Sequence, residues 1–288
     1  MTTVLITGAG KGIGLATALA FARAGHAVAA GMRNPDAAPE LATTAEREGL
    51  EIAVVVMDVD DDDSVRTAVE HAVQDIGPID VLVNNAGIER VGAVEDLSID
   101  DIRASMDTNY LGAARCIKAV LPSMRERGRG CIINVTSISG RIAASPMAAY
   151  AASKYALEAF SECLAQEVRP FGVRVAIVEP GIIDTSMATR IGTASAPTHY
   201  TARNRMAALF RSSLEQPTPP SLVADRIIDI ATGAETALRV PVGPDAAPFI
   251  EWRQAMSDDE WVAWGALDDD AWYARVLTDF GLDARPQD

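Results

Sequence analysis

Residues 7–14 read Thr-Gly-Ala-Gly-Lys-Gly-Ile-Gly, four glycines in eight positions directly behind the apolar run Val4-Leu5-Ile6. The stretch fails the usual dinucleotide fingerprint G-x-G-x-x-G, because after Gly8 and Gly10 the third glycine's place holds Ile13. It also fails the mononucleotide phosphate loop, whose first glycine and final hydroxyl fall on Leu5 and Gly12. What fits is Gly8, Gly12 and Gly14, a G-x-x-x-G-x-G spacing. A tight turn needs the first, close approach of backbone to phosphate the second, and close packing of helix on strand the third. Apolar strand, glycine turn and helical pattern in that order place an anion at a helix N-terminus.

Outward from this turn, short β-branched runs alternate with longer helical patterns, the signature of βαβ units. The strands expected are Thr3–Ile6, Ala27–Gly31, Ile52–Met57, Val81–Val83, Cys131–Val135, Arg174–Val178 and Arg239–Val242. Helices are expected over Ile13–Ala24, Ser64–Ile76, Ile102–Met124 and Ala151–Val168, long enough for right-handed crossovers. Seven strands predict an α/β fold: a Rossmann-type, doubly wound parallel sheet between two helical layers, in a single domain over residues 1–245. A substrate loop at about 182–220, with weak periodicity, follows the sixth strand, where it can cover the crevice at the strands' carboxyl ends. Residues 246–288 form an acidic extension carrying all four tryptophans, Trp252, Trp261, Trp264 and Trp272. Its expected role is packing on the same domain, over the substrate loop or against a second subunit.

The 288 residues, 49% hydrophobic, can build an extensive core. Neither a leader pattern nor an apolar run of membrane-spanning length is read, so the chain is expected to be cytoplasmic, with no membrane partner. Cys116, Cys131 and Cys163 are expected to be reduced core residues, and with three histidines besides, no metal site is expected. A net charge of −15 argues against nucleic acid. From Glu251 onward ten acidic residues face three arginines, so about half of the excess sits in the extension. The acidic run from Asp58 to Asp63 reads as a solvated helix start.

A dinucleotide site needs a reader of the adenosine ribose roughly twenty residues beyond the glycines. There the chain has Met32 and Arg33 in place of the acid of an NAD site. A guanidinium binds a 2′-phosphate that a carboxylate would repel, and Lys11 adds a second cation, so NADP(H) is expected in preference to NAD(H). Asp58-Val59, ending the third strand, is placed to contact adenine. Asn84-Asn85-Ala86-Gly87 turns the chain at the sheet's carboxyl edge, where a structural role for the amides suffices.

Tyr150 and Lys154 lie four residues apart in Tyr-Ala-Ala-Ser-Lys, on one face of a helix. A nearby ammonium favours phenolate and is expected to lower the tyrosine pKa toward the range useful for acid–base work. Ser137, thirteen residues upstream, can hold the same substrate oxygen.

With these residues in view, the chain resembles the short-chain dehydrogenase/reductase family. The turn at 7–14, Asp58-Val59, Asn84 to Gly87, Asn109, Ser137, Tyr150 to Lys154 and Pro180 to Thr185 occur in the family's order and spacing. The resemblance implies Tyr150 as general acid/base, Lys154 as ribose ligand and modifier of its pKa, Ser137 as ligand of the substrate oxygen, and Asn109 as holder of a proton-relay water. For the cofactor it implies Gly8, Lys11, Gly12, Ile13, Gly14, Arg33, Asp58, Val59, Asn85, Ala86, Gly87, Pro180, Gly181, Ile183 and Thr185, besides Tyr150 and Lys154. It implies a carbonyl/alcohol oxidoreductase, commonly a homodimer or homotetramer.

The segment from Tyr150 to Gly181 looks most like the branch of 17β-hydroxysteroid and retinol dehydrogenases, which implies a bulky apolar substrate. Ile138, Ile142, Met147, Ile182, Met187, Met206, Leu209 and Phe210, with Ile183, are the candidate pocket wall. Two other readings stay open: a 3-oxoacyl-carrier-protein reductase, and a non-enzymatic NADP(H)-binding redox sensor.

Overall fold

The computed structural model describes residues 1–193 and 198–285. The parts of the expected substrate loop and extension at 194–197 and 286–288 lie outside the described residues. In chain order the elements are β1 (Thr3–Thr7), α1 (Gly12–Arg23), β2 (Ala27–Met32), α2 (Pro39–Glu48), β3 (Ile52–Val56), α3 (Asp62–Ile76), β4 (Val81–Asn84), α4 (Ile99–Met106) and α5 (Gly112–Arg127). They continue with β5 (Gly130–Val135), α6 (Ala148–Val168), β6 (Val173–Pro180), α7 (Ser186–Thr193), α8 (Ala202–Ser213), α9 (Pro220–Thr232), β7 (Arg239–Val242), α10 (Ala246–Gln254), α11 (Asp258–Gly265) and α12 (Asp269–Phe280).

All seven strands run parallel in the order β3-β2-β1-β4-β5-β6-β7. The winding direction reverses between β1 and β4, and the crevice of such a sheet lies there, beyond the strands' carboxyl ends. Alternation along β1 sends Val4 and Ile6 into one core with α1 and α9, and Leu5 into another with α3, α5 and α6. Both faces of the sheet are therefore covered, which is why its central strands read as continuous apolar runs.

Three local features differ from expectation. The helix expected over Ile102–Met124 is interrupted by a wide π-turn at Asp107–Leu111 between α4 and α5. The weakly periodic loop contains α7 and α8, whose outer faces are polar. Cys163 is exposed, on the solvent face of α6, whereas Cys116 and Cys131 are buried and burial pushes their thiols up to about 12 and about 11. The acidic run does start a helix: the Asp61 side chain accepts from Ser64 N and caps α3.

Candidate active site

The glycine turn leaves β1 and enters α1 with φ of +66° at Gly8 and +55° at Gly12, a region side chains rarely adopt. A Cβ at Gly14 would lie 2.4 Å from both Asn85 Nδ2 and Gly8 O, so only glycine lets α1 sit this close to the turn. Asn85 Nδ2 donates to Thr7 O at 2.9 Å and to Gly8 O at 3.2 Å, while the amides of Asn85 and Ala86 both donate to Thr7 Oγ1 at 3.0 Å. Thr7 thus ties the turn to the end of β4. Sequence reasoning passed it over as the residue before the first glycine, because its burial and its two amide donors appear only in the fold.

One cleft of about 1010 Å³ runs along the carboxyl ends of the strands. The end at the glycine turn is lined by Gly8, Lys11, Gly12, Ile13, Arg33, Asp58, Val59, Asn85, Ala86 and Gly87. Pro180, Gly181, Ile183 and Thr185 line it from β6 and the loop beyond. Gly14 stands behind this wall, in contact with Asn85. Lys11 and Arg33 are exposed; Lys11 O accepts from Leu15 N, but among the described residues neither side chain forms a hydrogen bond or ion pair. A turn whose glycines leave no room for side chains, a helix N-terminus behind it and two unpaired cations fit a phosphate-bearing dinucleotide.

Ser137, Tyr150 and Lys154 line the same cleft. Ser137 Oγ accepts from Ser139 N at 3.1 Å, which fixes its rotamer and leaves its proton free to donate. Lys154 is buried, its Nζ donating to Val135 O at 2.9 Å and lying 5.6 Å from the centre of the Tyr150 ring. The expectation that Lys154 lowers the Tyr150 pKa does not hold here. Burial pushes the phenol up to about 12, Ser137 counteracting by hydrogen bond and Glu89 adding to the rise. Burial likewise brings Lys154 down to about 8, against the pull of Glu158 one turn further along α6. Desolvation is the largest cause for both groups.

Asn109 sits in the π-turn, outside the cleft wall. Its Oδ1 accepts from Ile88 N at 2.8 Å, and its Nδ2 donates to Ile88 O and to Ser153 Oγ, both at 2.9 Å. Ser153 in turn donates to Tyr150 O at 2.7 Å. Both amide protons are engaged, so only the second Oδ1 lone pair or the main-chain carbonyl is left to hold a water. Behind Lys154, Glu158 accepts from Thr136 Oγ1 at 2.7 Å and Arg239 Nε at 3.0 Å, a buried support absent from the sequence reading. Asp245, also missed, accepts from Ile182 N at 2.7 Å and anchors the loop after Pro180. Its signal, a lone acid beyond the seventh strand, is indistinguishable in sequence from any loop aspartate.

All the candidate pocket residues, Ile138, Ile142, Met147, Ile182, Met187, Met206, Leu209 and Phe210, line the cleft. So do Trp252, Trp261, Trp264 and Trp272, for which packing was the expected role.

A family model for short chain dehydrogenases matches residues 2–196. This chain belongs to the short-chain dehydrogenase family. It is similar to an oxidoreductase of Botryotinia fuckeliana, BOA17, with 36% identity over 262 residues, covering 89% of this chain and 95% of the relative. A 3-ketodihydrosphingosine reductase of Bacteroides thetaiotaomicron is 41% identical over 182 residues, covering 63% of this chain and 64% of that protein. The fold matches, at a TM-score of 0.71 and 29% identity, a gluconate 5-dehydrogenase of Burkholderia cenocepacia in complex with NADP and tartrate; 83% of this chain and 92% of that one are covered. The short-chain dehydrogenase is thus an oxidoreductase whose fold binds a nicotinamide cofactor. Among its described residues, no helix is long and apolar enough to cross a membrane, and no cluster of His, Cys, Asp and Glu could hold a metal ion.

Proposed function

We propose that this dehydrogenase interconverts a ketone or aldehyde and the corresponding alcohol, with NADP(H) preferred over NAD(H), on a bulky apolar substrate. The observation that carries this reading is the sharing of one cleft: Ser137, Tyr150 and Lys154 open on the same space as the unpaired Lys11 and Arg33. Gly8, Gly12 and the start of α1 hold the pyrophosphate, Lys11 and Arg33 the 2′-phosphate, and Asp58 and Val59 the adenine side. A bound nicotinamide supplies or takes the hydride at the substrate carbon.

The protein's own residues move the proton. In reduction, Tyr150 Oη donates to the substrate oxygen while Ser137 Oγ hydrogen-bonds the same oxygen as charge develops on it. A phenol held up at about 12 is loaded for that donation throughout the physiological range. Lys154, at about 8, still carries its charge near neutrality and faces the phenolate left behind. Asn109, through Ser153, fixes the α6 backbone under Tyr150 and holds the water that returns the proton. The apolar wall from Ile138 to Phe210 supports a large uncharged substrate.

The test is Tyr150→Phe, with turnover followed by NADPH absorbance over a panel of ketones and secondary alcohols and cofactor binding followed by titration. Turnover should fall by about 10²–10⁴ with NADPH affinity kept. Undiminished turnover would remove the mechanism. A wild-type chain that binds NADPH yet turns over none of the panel would favour a redox sensor, and selective turnover of a carrier-bound 3-oxoacyl substrate a carrier-protein reductase.

A further inference from the structure

Residues 246–285 lie beyond the part matched by the family model, yet they build one end of the cleft. Trp252 of α10 meets Trp261, Trp264 and Phe280 edge-on at 4.8–5.8 Å between ring centres. Trp261 and Trp264 of α11 stack at 5.2 Å with an interplanar angle of 5°, and Trp264 leans on Trp272 of α12 at 5.5 Å. The edge-to-face geometry locks each ring against its neighbours, so the wall is preformed. Trp252, Trp261, Trp264 and Phe280 are each only part-buried while lining the cleft. Trp264 Nε1 is buried with no hydrogen-bond partner, a cost that a phenylalanine used purely as packing would avoid.

Two apolar paths join this wall to the reacting tyrosine. One runs from Tyr150 and Met206 through Leu209, which packs on the cluster of Trp264 and Trp272. The other runs from Ala144, which packs on the Tyr150 cluster, through Ile142 and Phe249 to Trp261 and Phe280. The two arginines lining this half of the cleft are already neutralised: Arg190 by Glu89 at 2.7 Å, and Arg205 by Asp269 at 2.6 Å and Leu267 O at 2.7 Å. Among the described residues lining this half of the cleft, an anionic group carried on the substrate would find no unpaired cation.

We infer that the indoles of α10–α12 form a specificity subsite for the end of the substrate remote from the carbonyl, taking an uncharged aromatic or fused-ring group. This deepens the reading above, on which the carbonyl reacts at Tyr150. Flat apolar faces recognise a flat apolar partner, and the paired charges reject a carboxylate or phosphate at that end.

Three probes share one reacting group and differ only at the remote end: acetophenone, 4-acetylbiphenyl and 4′-acetylbiphenyl-4-carboxylate. Wild-type kcat/KM should be at least tenfold higher for 4-acetylbiphenyl than for either of the others. Trp264→Ala should lower the 4-acetylbiphenyl value tenfold or more and change the acetophenone value less than threefold. Trp261→Ala, at a part-buried position, supplies the same comparison if Trp264→Ala does not fold. Equal losses on both ketones, or a carboxylate probe turned over as well as its parent, would overturn the inference. Binding of 4-acetylbiphenyl to the NADP⁺-loaded protein, read by quenching of tryptophan fluorescence, tests the subsite without turnover. If no ketone is reduced, the reaction assigned above fails while saturable quenching, weakened tenfold in the variant, still supports the subsite. Absence of saturable quenching overturns it.

Discussion

Lys154→Met should make stability respond to pH in a way that isolates the burial of this one charge. The ammonium is 4% exposed and its pKa is brought from 10.5 to about 8, burial being the largest cause. That fall corresponds to ~3 kcal/mol of folding free energy lost when the group must stay protonated. Between the two values the unfolded chain binds the proton and the folded one does not, so wild-type stability rises with pH across that window. Below the folded value the cost is fully present. Methionine removes it, but leaves Val135 O, which now accepts at 2.9 Å, without its donor. An unsatisfied carbonyl costs about 1–3 kcal/mol, so near neutrality the two proteins should be of similar stability. The difference between them is the cleaner readout, because every other titrating group cancels. Urea unfolding of the cofactor-free proteins at about pH 7.5 and about pH 9.5 should shift this difference by ~2 kcal/mol in favour of the wild type. A difference that does not move with pH would refute a desolvated Lys154, and with it the account of how the acid–base pair is set.

Gly14→Ala places a Cβ 2.4 Å from Asn85 Nδ2 and Gly8 O. It should cost about 1–3 kcal/mol by thermal unfolding and weaken NADPH more than tenfold, and wild-type values for both would contradict the packing described. Replacing Lys11 and Arg33 by alanine should weaken NADPH by about 10–100-fold per residue, the worth of a charge-assisted hydrogen bond, and NADH less than threefold. Equal losses would remove the 2′-phosphate role. For ketone reduction, kcat/KM should hold level up to the Lys154 value of about 8 and fall beyond it as the ammonium discharges, Tyr150 remaining protonated throughout. A profile level to about pH 9.5 would deny the charge on Lys154 any part in the reaction.

The parallel sheet was legible because strands covered on both faces must be apolar along their whole length, and most turns between them carry glycine or an amide. α2 escaped notice because Pro-Glu-Leu-Ala-Thr-Thr-Ala-Glu-Arg-Glu buries only Leu41, Thr44 and Ala45, too few to set a period. The site's glycines and its Tyr, Lys and Ser could be read from spacing alone, since backbone conformation and helix geometry fix them locally. The Tyr150 pKa could not: the spacing to Lys154 is visible in the sequence, but the burial that raises the phenol comes from packing between distant segments. The tryptophans raise the same difficulty. Their indoles reach the cleft because α10–α12 fold back over Ile138 and Ile142, more than a hundred residues earlier. Cys163 was misplaced because its mixed neighbours in α6, among them Ser161, Glu162, Leu164 and Ala165, do not say which face each residue occupies.

At Gly12 and Thr185 the two halves of the cleft come close together. The Cγ2 of Thr185 lies 3.2 Å from the position a Cβ at Gly12 would take, and Thr185 Oγ1 accepts from Ala188 N at the root of α7. The glycine turn and the root of the arm carrying Met187 are therefore neighbours, and on the proposed reading the turn seats the phosphates. Free-energy linkage between such neighbours is reciprocal: whatever a dinucleotide contributes to steadying Thr185, a substrate held by that arm returns to the dinucleotide. Affinities measured for either ligand alone would then understate the affinity of each in the ternary complex.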